Sequence, residues 1–302
     1  MKKINLFILI GVLMFPLSAC QDNTDMPDNF YADFEETLLR KYPDAVDIVW
    51  SEKEPYVLAD FKTSKVQTKG ESARLFSNTA WFDEDGHWQM TQSDAPFEAL
   101  PKPVQDAFLA GEYADWEIDD IDIVNRDNVE FIYVIEVENI VDGKETEVDL
   151  YYTEDGLLVK VVVDPQDDGY EDFIPDDMSD KIESFIVEKY PDARIIEVEV
   201  EDGRTEVEIV DINIEREILF NRNDDWLYTE TEMNYRDLPL CIQKTFEASP
   251  YADCRIDDEI EHYLMPDKEF YRFELEDKFD DKKIDIYPDG TIVEVKSNEN
   301  RD

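Results

Sequence analysis

Histidine is almost missing: the 302 residues contain two, His87 and His262. Glycine is scarce at nine and cysteine at three, and 29 basic residues face 77 acidic ones, for a net charge of -48. Each shortage removes a class of function. Nine glycines leave little for backbone phosphate cradles, and no Gly-x-Ser-x-Gly elbow, phosphate loop or dinucleotide fingerprint occurs. A histidine base or zinc site needs partners at defined spacing; none is present, so both histidines read as surface or turn residues. Cys241 and Cys254 add no zinc-finger spacing to them. The acidity would repel nucleic-acid phosphates and disfavours a membrane-hugging surface. It favours basic proteins or cations as partners. Disorder is not implied, because the chain is 12% aromatic and 42% hydrophobic, enough to build cores.

One long apolar run exists, at the start. Lys2 and Lys3 precede a mostly apolar stretch from Ile4 to Leu17, which ends in Leu17-Ser18-Ala19-Cys20. The length suits a signal peptide and is short for a spanning helix. The last four residues resemble the lipobox of bacterial lipoproteins. That resemblance implies cleavage after Ala19 and lipid on Cys20, with residues 1–19 as signal peptide and 20–29 as an acidic tether. The expected location is the bacterial envelope, as an outer-membrane lipoprotein facing the periplasm or the cell surface. The membrane would be met through the lipid alone.

Beyond this start the sequence repeats itself. Tyr42-Pro43-Asp44-Ala45 recurs as Tyr190-Pro191-Asp192-Ala193. Leu100-Pro101 recurs as Leu238-Pro239, and Tyr113-Ala114-Asp115 as Tyr251-Ala252-Asp253. The order is A, B, A′, B′, a duplicated pair of repeats. Each repeat opens with an apolar stripe at helical spacing: Phe34, Leu38 and Tyr42 in A; Leu100, Val104 and Phe108 in B; Met178, Ile182, Ile186 and Tyr190 in A′; Leu238, Ile242 and Phe246 in B′. Pro43 and Pro191 stop the A-type helices, while Pro101 and Pro239 stand at the start of the B-type helices, where proline is tolerated. Period-two runs follow, such as Tyr133, Ile135 and Val137, or Val198 and Val200 between glutamates. Asp85-Gly86, Asp142-Gly143, Asp155-Gly156, Asp202-Gly203 and Asp289-Gly290 mark tight turns.

Each repeat therefore reads as one helix followed by about four antiparallel strands, an α+β class in which the helix covers the oily side of its sheet. The expected boundaries are 30–164 for module 1 (repeats about 30–93 and 97–164), 165–173 for a linker, and 174–297 for module 2 (repeats about 174–232 and 235–297). Cys241 should fall early in a helix and Cys254 early in the next strand. A disulfide between them and two separate thiols both fit the sequence.

These features together resemble the PepSY-like, beta-lactamase-inhibitor-like family of exported bacterial proteins. The residues that carry the likeness are the Tyr-Pro-Asp-Ala helix ends, the inward aromatic of Val49-Trp50, the hairpin Phe82-Asp83-Glu84-Asp85-Gly86, and Leu100-Pro101 opening the partner repeat. The resemblance implies repeats paired into two such modules, helices on one side of each antiparallel sheet and the other side free. In the inhibitor after which the fold is named, that free side grips a protein. The implied role is non-catalytic binding of a protein partner, basic or an exported enzyme, with inhibition as one form of it and no cofactor.

The candidate contact residues are the ladder Glu197, Glu199, Glu201, Glu206 and Glu208, with Tyr151 and Tyr287 beside Asp149 and Asp285. A solvated, edge-protecting face is the plain reading of the ladder, and a docking face for a basic partner the sharper one. A cation- or glycan-binding surface protein is the alternative role. A hydrolase of unrecognised type is a third, and it requires a cleft flanked by perturbed carboxylates. No metal site is expected. Asp83-Glu84-Asp85-Gly86 resembles the opening of a calcium loop, but its twelfth position is Asp94, so a hairpin turn is the better reading.

Overall fold

The four helices form where the apolar stripes lie. In the computed structural model, which describes residues 31–64, 75–141, 143–163, 174–256, 260–276 and 282–295, α1 spans Ala32–Lys41 and buries Phe34 and Leu38. Cys20, the signal peptide and the acidic tether lie outside the described residues. Asp33 and Glu35 occupy the first turn of α1 and Arg40 and Lys41 the last, so side-chain charge opposes the helix dipole at both ends. Helix α2 (Lys102–Ala110) follows Pro101 and buries Val104 and Phe108. In α3 (Asp180–Lys189) the Ser179 hydroxyl accepts the Ile182 N–H at 3.3 Å, and Ile182 and Ile186 turn inward. Helix α4 (Leu240–Glu247) follows Pro239 and buries Ile242 and Phe246.

The strands of module 1 are β1 (Val46–Lys53), β2 (Tyr56–Ser64), β3 (Leu75–Phe82), β4 (Trp88–Asp94), β5 (Glu117–Arg126), β6 (Ile132–Val141), β7 (Lys144–Tyr152) and β8 (Leu158–Val163). They form one antiparallel sheet in sequence order. Module 2 contains β9 (Arg194–Glu201), β10 (Arg204–Asp211), β11 (Ile214–Phe220), β12 (Trp226–Met233), β13 (Arg255–Ile256), β14 (Ile260–Leu264), β15 (Glu269–Glu276), β16 (Lys282–Ile286) and β17 (Ile292–Val295). Its sheet follows the same order, with the two-residue β13 set aside against β15. Within each module the last strand of one repeat pairs with a strand of the next: β4 with β5, and β12 with β14. Two repeats thus fuse into one broad sheet with both helices on the same side, the architecture the repeats imply.

Four cores lie between helices and sheets. Phe34 and Leu38 meet Val57, Phe61 and Phe82 under α1; Val104 and Phe108 meet Ile135, Val148 and Leu150 under α2. Ile182 and Ile186 meet Val207, Ile218 and Phe220 under α3; Ile242 and Phe246 meet Phe273, Ile284 and Ile286 under α4. Burying one such aliphatic or aromatic side chain is worth about 1.5–3 kcal/mol. A matched pair of cation–π contacts adds to the A-type repeats. The Lys41 ammonium sits 3.2 Å from the Trp88 ring centre and that of Lys189 3.3 Å from Trp226. Each tethers the end of a helix to the start of its repeat's last strand. Burial, followed by the Arg216 charge, lowers the Lys189 ammonium to a pKa of about 8.

The turns close as their residues dictate. Gly86 donates its N–H to the Asp83 carbonyl at 3.1 Å, and the Asp83 carboxylate accepts the N–H groups of Asp85 and His87. Gly156 has a φ of +85°, and a Cβ there would lie 2.5 Å from the Pro103 carbonyl oxygen, so the β7–β8 turn seats directly on α2. Gly143 has a similar φ of +81° but open space around it. Gly143→Ala should therefore cost about 1 kcal/mol from backbone strain alone. Gly156→Ala should cost at least about 2 kcal/mol, because the clash is with backbone. Urea unfolding of the two variants checks this, and equal losses would contradict the seating of the turn on α2.

Candidate functional site

The helix-free faces are the place to look for contacts, and the two modules treat theirs differently. On module 1 the register aligns Leu58 with Trp81 and Trp81 with Met90; nearby, Val134 aligns with Tyr151. This face is apolar at its centre. Trp81, Met90, Val124, Ile132, Val134 and Tyr151 form a fifth core together with Ile196 and Val210, which belong to module 2. The leading hairpin of module 2, β9–β10, therefore covers the open face of module 1.

Polar groups pin this seam. The Glu130 N–H donates to the Ile195 carbonyl at 2.8 Å. Arg126, 3% exposed, donates through Nη2 to the carbonyls of Ile196 (2.6 Å) and Glu130 (3.2 Å). Arg194 reaches back from β9 to Glu130 (2.5 Å) and Asp155 (2.9 Å). Burial lowers Arg126 to a pKa of about 10, against the opposing pull of Glu197, Glu208 and Glu130, so it is charged at neutral pH.

The expectation that Tyr151 belongs to a free docking face is corrected by this seam. Tyr151 is 4% exposed, its hydroxyl donates to Asp149 at 3.3 Å, and burial followed by the Asp149 charge raises its pKa. An apolar sheet face this broad is costly to leave in water, and the neighbouring module removes it from solvent.

Module 2 presents a different helix-free face. Cross-strand register places Glu197 beside Glu208, Glu208 beside Glu217, Glu217 beside Glu230, Glu230 beside Tyr263, and Tyr263 beside Phe270. One row thus runs from carboxylates to aromatics across six strands. The adjacent row pairs Glu232 with Glu261, Glu261 with Arg272, and Arg272 with Asp285. The Arg272 guanidinium grips Asp285 at 2.9 and 3.1 Å and lies 5.0 Å from the Tyr263 ring centre and 5.3 Å from that of Phe270. Tyr228 meets Tyr263 edge-on at 5.5 Å, and Tyr287 tilts against Phe270 at 5.7 Å.

The predicted contact residues Glu197, Glu199, Glu201, Glu206, Glu208 and Tyr287 share this face, Glu199 and Glu201 at its exposed end toward the β9–β10 turn. Sequence reasoning missed Glu215, Glu217, Glu230 and Glu232. The signal was present in the alternating acids Glu215-Arg216-Glu217 and Glu230-Thr231-Glu232. Burial pushes the Glu208 carboxyl up to about 7, with Glu197, Glu215 and Glu217 adding to the rise and Lys160 of module 1 opposing it. Burial and then Glu232 push Glu215 up to about 7 as well. Burial, Glu208 and Glu199 raise Glu206.

Glu208 and Glu215 border an open groove of about 1010 Å³ between the modules. Leu157, Leu158 and Val159 of module 1 contribute to its lining, as do Glu208, Glu215, Glu217, Glu230 and Glu232 of module 2. His262 also lines it and is not the surface residue its sequence setting implies. It is mostly buried, with its ring stacked 4.4 Å from Tyr271 and its Nε2 3.0 Å from Glu269. His87 is exposed and pairs with Asp83 at 3.0 Å. Among the described residues, no three His, Cys, Asp or Glu side chains gather as metal ligands do.

Cys241 and Cys254 are both free thiols, so the disulfide alternative is not realised. Cys241 is exposed on α4, where Ile242 takes the inward direction, while Cys254 packs at the edge of the core beneath.

Comparison with known proteins agrees with this architecture. Residues 66–160 and 206–294 match the family described as "Putative beta-lactamase-inhibitor-like, PepSY-like", and the chain belongs to that family. Among solved structures it is similar to a DUF2874 family protein from Bacteroides ovatus, at 29% identity over 47% of this chain and 95% of that one, with a TM-score of 0.39. A BLIP-like protein from Bacteroides fragilis shares 29% identity over 46% of this chain and 89% of its own, with a TM-score of 0.38. A DUF2874 family protein from Bacteroides uniformis shares 27% identity over 44% and 88%, with a TM-score of 0.36. None of the curated proteins matches.

Two outcomes follow from the seam and the acid row. Ile196→Asp places a charge among Trp81, Met90 and Val134, so the modules should part. Tryptophan emission should shift to longer wavelength, and a single unfolding transition should become two. For Glu208, the folded carboxyl near 7 lies above its ordinary value of 4.5. Its protonated form favours folding below about pH 4.5, and that contribution is lost as pH rises through 7. Glu208→Gln should thus stabilise the protein by about 3 kcal/mol at pH 8 and by nothing at pH 4, as read by denaturant titration at both values.

Proposed function

We propose that this chain is a non-catalytic, lipid-anchored envelope protein that binds a protein partner through the helix-free face of module 2. The observation that carries the reading is the continuous row from Glu197 through Glu208, Glu217 and Glu230 to Tyr263 and Phe270. Acids supply steering and aromatics supply contact area, the combination protein interfaces use. Membership of a beta-lactamase-inhibitor-like family supports binding, and inhibition of an exported enzyme is the form it suggests. The apolar run ending at Cys20 supports the anchor.

A hydrolase is the second reading, favoured by one observation. Glu208 and Glu215 line a groove, and both titrate near 7. Acid–base catalysis works through carboxyls whose environments push their pKa values apart. Here burial and neighbouring acids push both the same way, which is the signature of crowding.

Immobilised protein incubated with envelope extract at low salt should retain a basic protein that elutes as salt rises. Retention of nothing, or retention unaffected by salt, would count against the binding reading. Turnover of a glycan or peptide substrate that Glu208→Gln abolishes would establish the hydrolase instead. For the anchor, cells fed labelled palmitate should mark the native chain and leave Cys20→Ser unlabelled.

A further inference from the structure

The outer edges of the two sheets are closed in different ways. The β9 edge is occupied: its Ile195 and Ile196 carbonyls accept from module 1, the Val198 carbonyl accepts the Asp176 N–H at 2.9 Å, and the Val200 N–H donates to the Asp176 carboxylate at 2.6 Å. The β1 edge is broken by a register shift between Val46 and Val49, with Asp47 at a φ of +55°. The β17 edge is four residues long.

The β8 edge is defended only at its start, where Val159 is an extra residue opposite Tyr151 and Tyr152. It reads Leu-Val-Lys-Val-Val-Val and, among the described residues, pairs only with β7. Leu158, Val161 and Val163 are 40%, 41% and 57% exposed. Exposed apolar edges of this kind are templates for another strand, and proteins ordinarily blunt them with charge, proline or a bulge. Here the single charge is Lys160, and the bulge falls at Val159, in the first part of the strand, leaving residues 160–163 in regular register with β7.

The edge also has a particular neighbour. Leu158 and Val159 line the inter-module groove, and Glu208, Glu215, Glu217 and Glu230 line it from module 2. Arg216, which also borders the groove, is engaged by Asp211 at 3.4 Å and Thr231 at 2.8 Å. The net charge facing the groove is negative.

We propose that β8 is a docking edge that takes an extended, lysine- or arginine-bearing segment of the partner as an added strand, its basic side chains turned to the carboxylate row across the groove. The inference rests on the binding reading above and narrows it to one edge and one peptide chemistry. Backbone pairing to β8 supplies the register, and alternate side chains supply selectivity, as in other strand additions.

The test uses the full chain and an acetylated, amidated Lys-Val alternating decapeptide. Fluorescence anisotropy should show saturable binding that weakens as salt rises, and hydrogen exchange should slow at residues 158–163. Two further peptides carry N-methyl groups on the odd or on the even amides. A strand presents one bonding edge to its neighbour, so one isomer should lose about tenfold or more while the other binds as the parent does. Equal binding of both isomers, exchange protection elsewhere, or no binding would overturn the proposal. So would equal binding of a Glu-Val peptide, or a peptide-free dimer in sedimentation that Val161→Pro dissolves, since the occupant would then be a second copy. A basic protein captured from extract that the Lys-Val peptide fails to displace would leave the binding function standing and remove this edge from it.

Discussion

A sheet has two faces, and each sheet here has helices for only one of them. That constraint governs the rest of the molecule. In both modules the helix side is filled by a repeated formula of inward aliphatic and aromatic residues, Phe34 and Leu38 in one repeat, Ile182 and Ile186 in its counterpart. The second face must then be covered, made polar, or left to a partner. Module 1 is covered: Trp81, Met90 and Tyr151 would expose a broad apolar patch, and Ile196 and Val210 close over it. Module 2 is rich in carboxylates over β9 to β12 and carries aromatics at Tyr263 on β14 and Phe270 on β15, with Tyr287 beside them.

The duplicated modules have consequently diverged in role while keeping one framework. Phe82 and Phe220, Trp88 and Trp226, and Lys41 and Lys189 occupy equivalent core and clip positions. The helix-free positions carry no such likeness: Gln92 aligns with Val124 on β5 in module 1, whereas its counterpart Glu230 aligns with Tyr263 on β14 in module 2. Framework positions are held by packing density, where a change of one methylene is felt. Positions on a helix-free face answer only to whatever lies above them.

The carboxylate row shows the energetic consequence. Strands stand about 4.8 Å apart, so glutamates paired in register repel one another unless protons or cations intervene. Burial beside module 1 sharpens this at Glu208, whose carboxyl titrates near 7. The fold therefore holds a face that is less stable in isolation than a mixed-charge one would be.

Repeat order, helix positions, turn sites and the α+β class were legible in the sequence, because they follow from local periodicity, proline placement and Asp-Gly pairs within a few residues. The clips of Lys41 on Trp88 and Lys189 on Trp226 were not, since those partners stand 47 and 37 residues apart along the chain. Nor was the fate of Tyr151: its alternation with Leu150 says which face it takes, and nothing local says that Ile196 will lie on that face. The free state of Cys241 and Cys254 and the stacking of His262 on Tyr271 belong to the same class. The sequence by itself determined what each residue does within its own repeat, through the 3.6 and 2.0 periods of helix and strand. Only the tertiary structure decided which parts of the helix-free faces were spent inside the molecule and which were left outside, because that choice depends on how the two sheets meet.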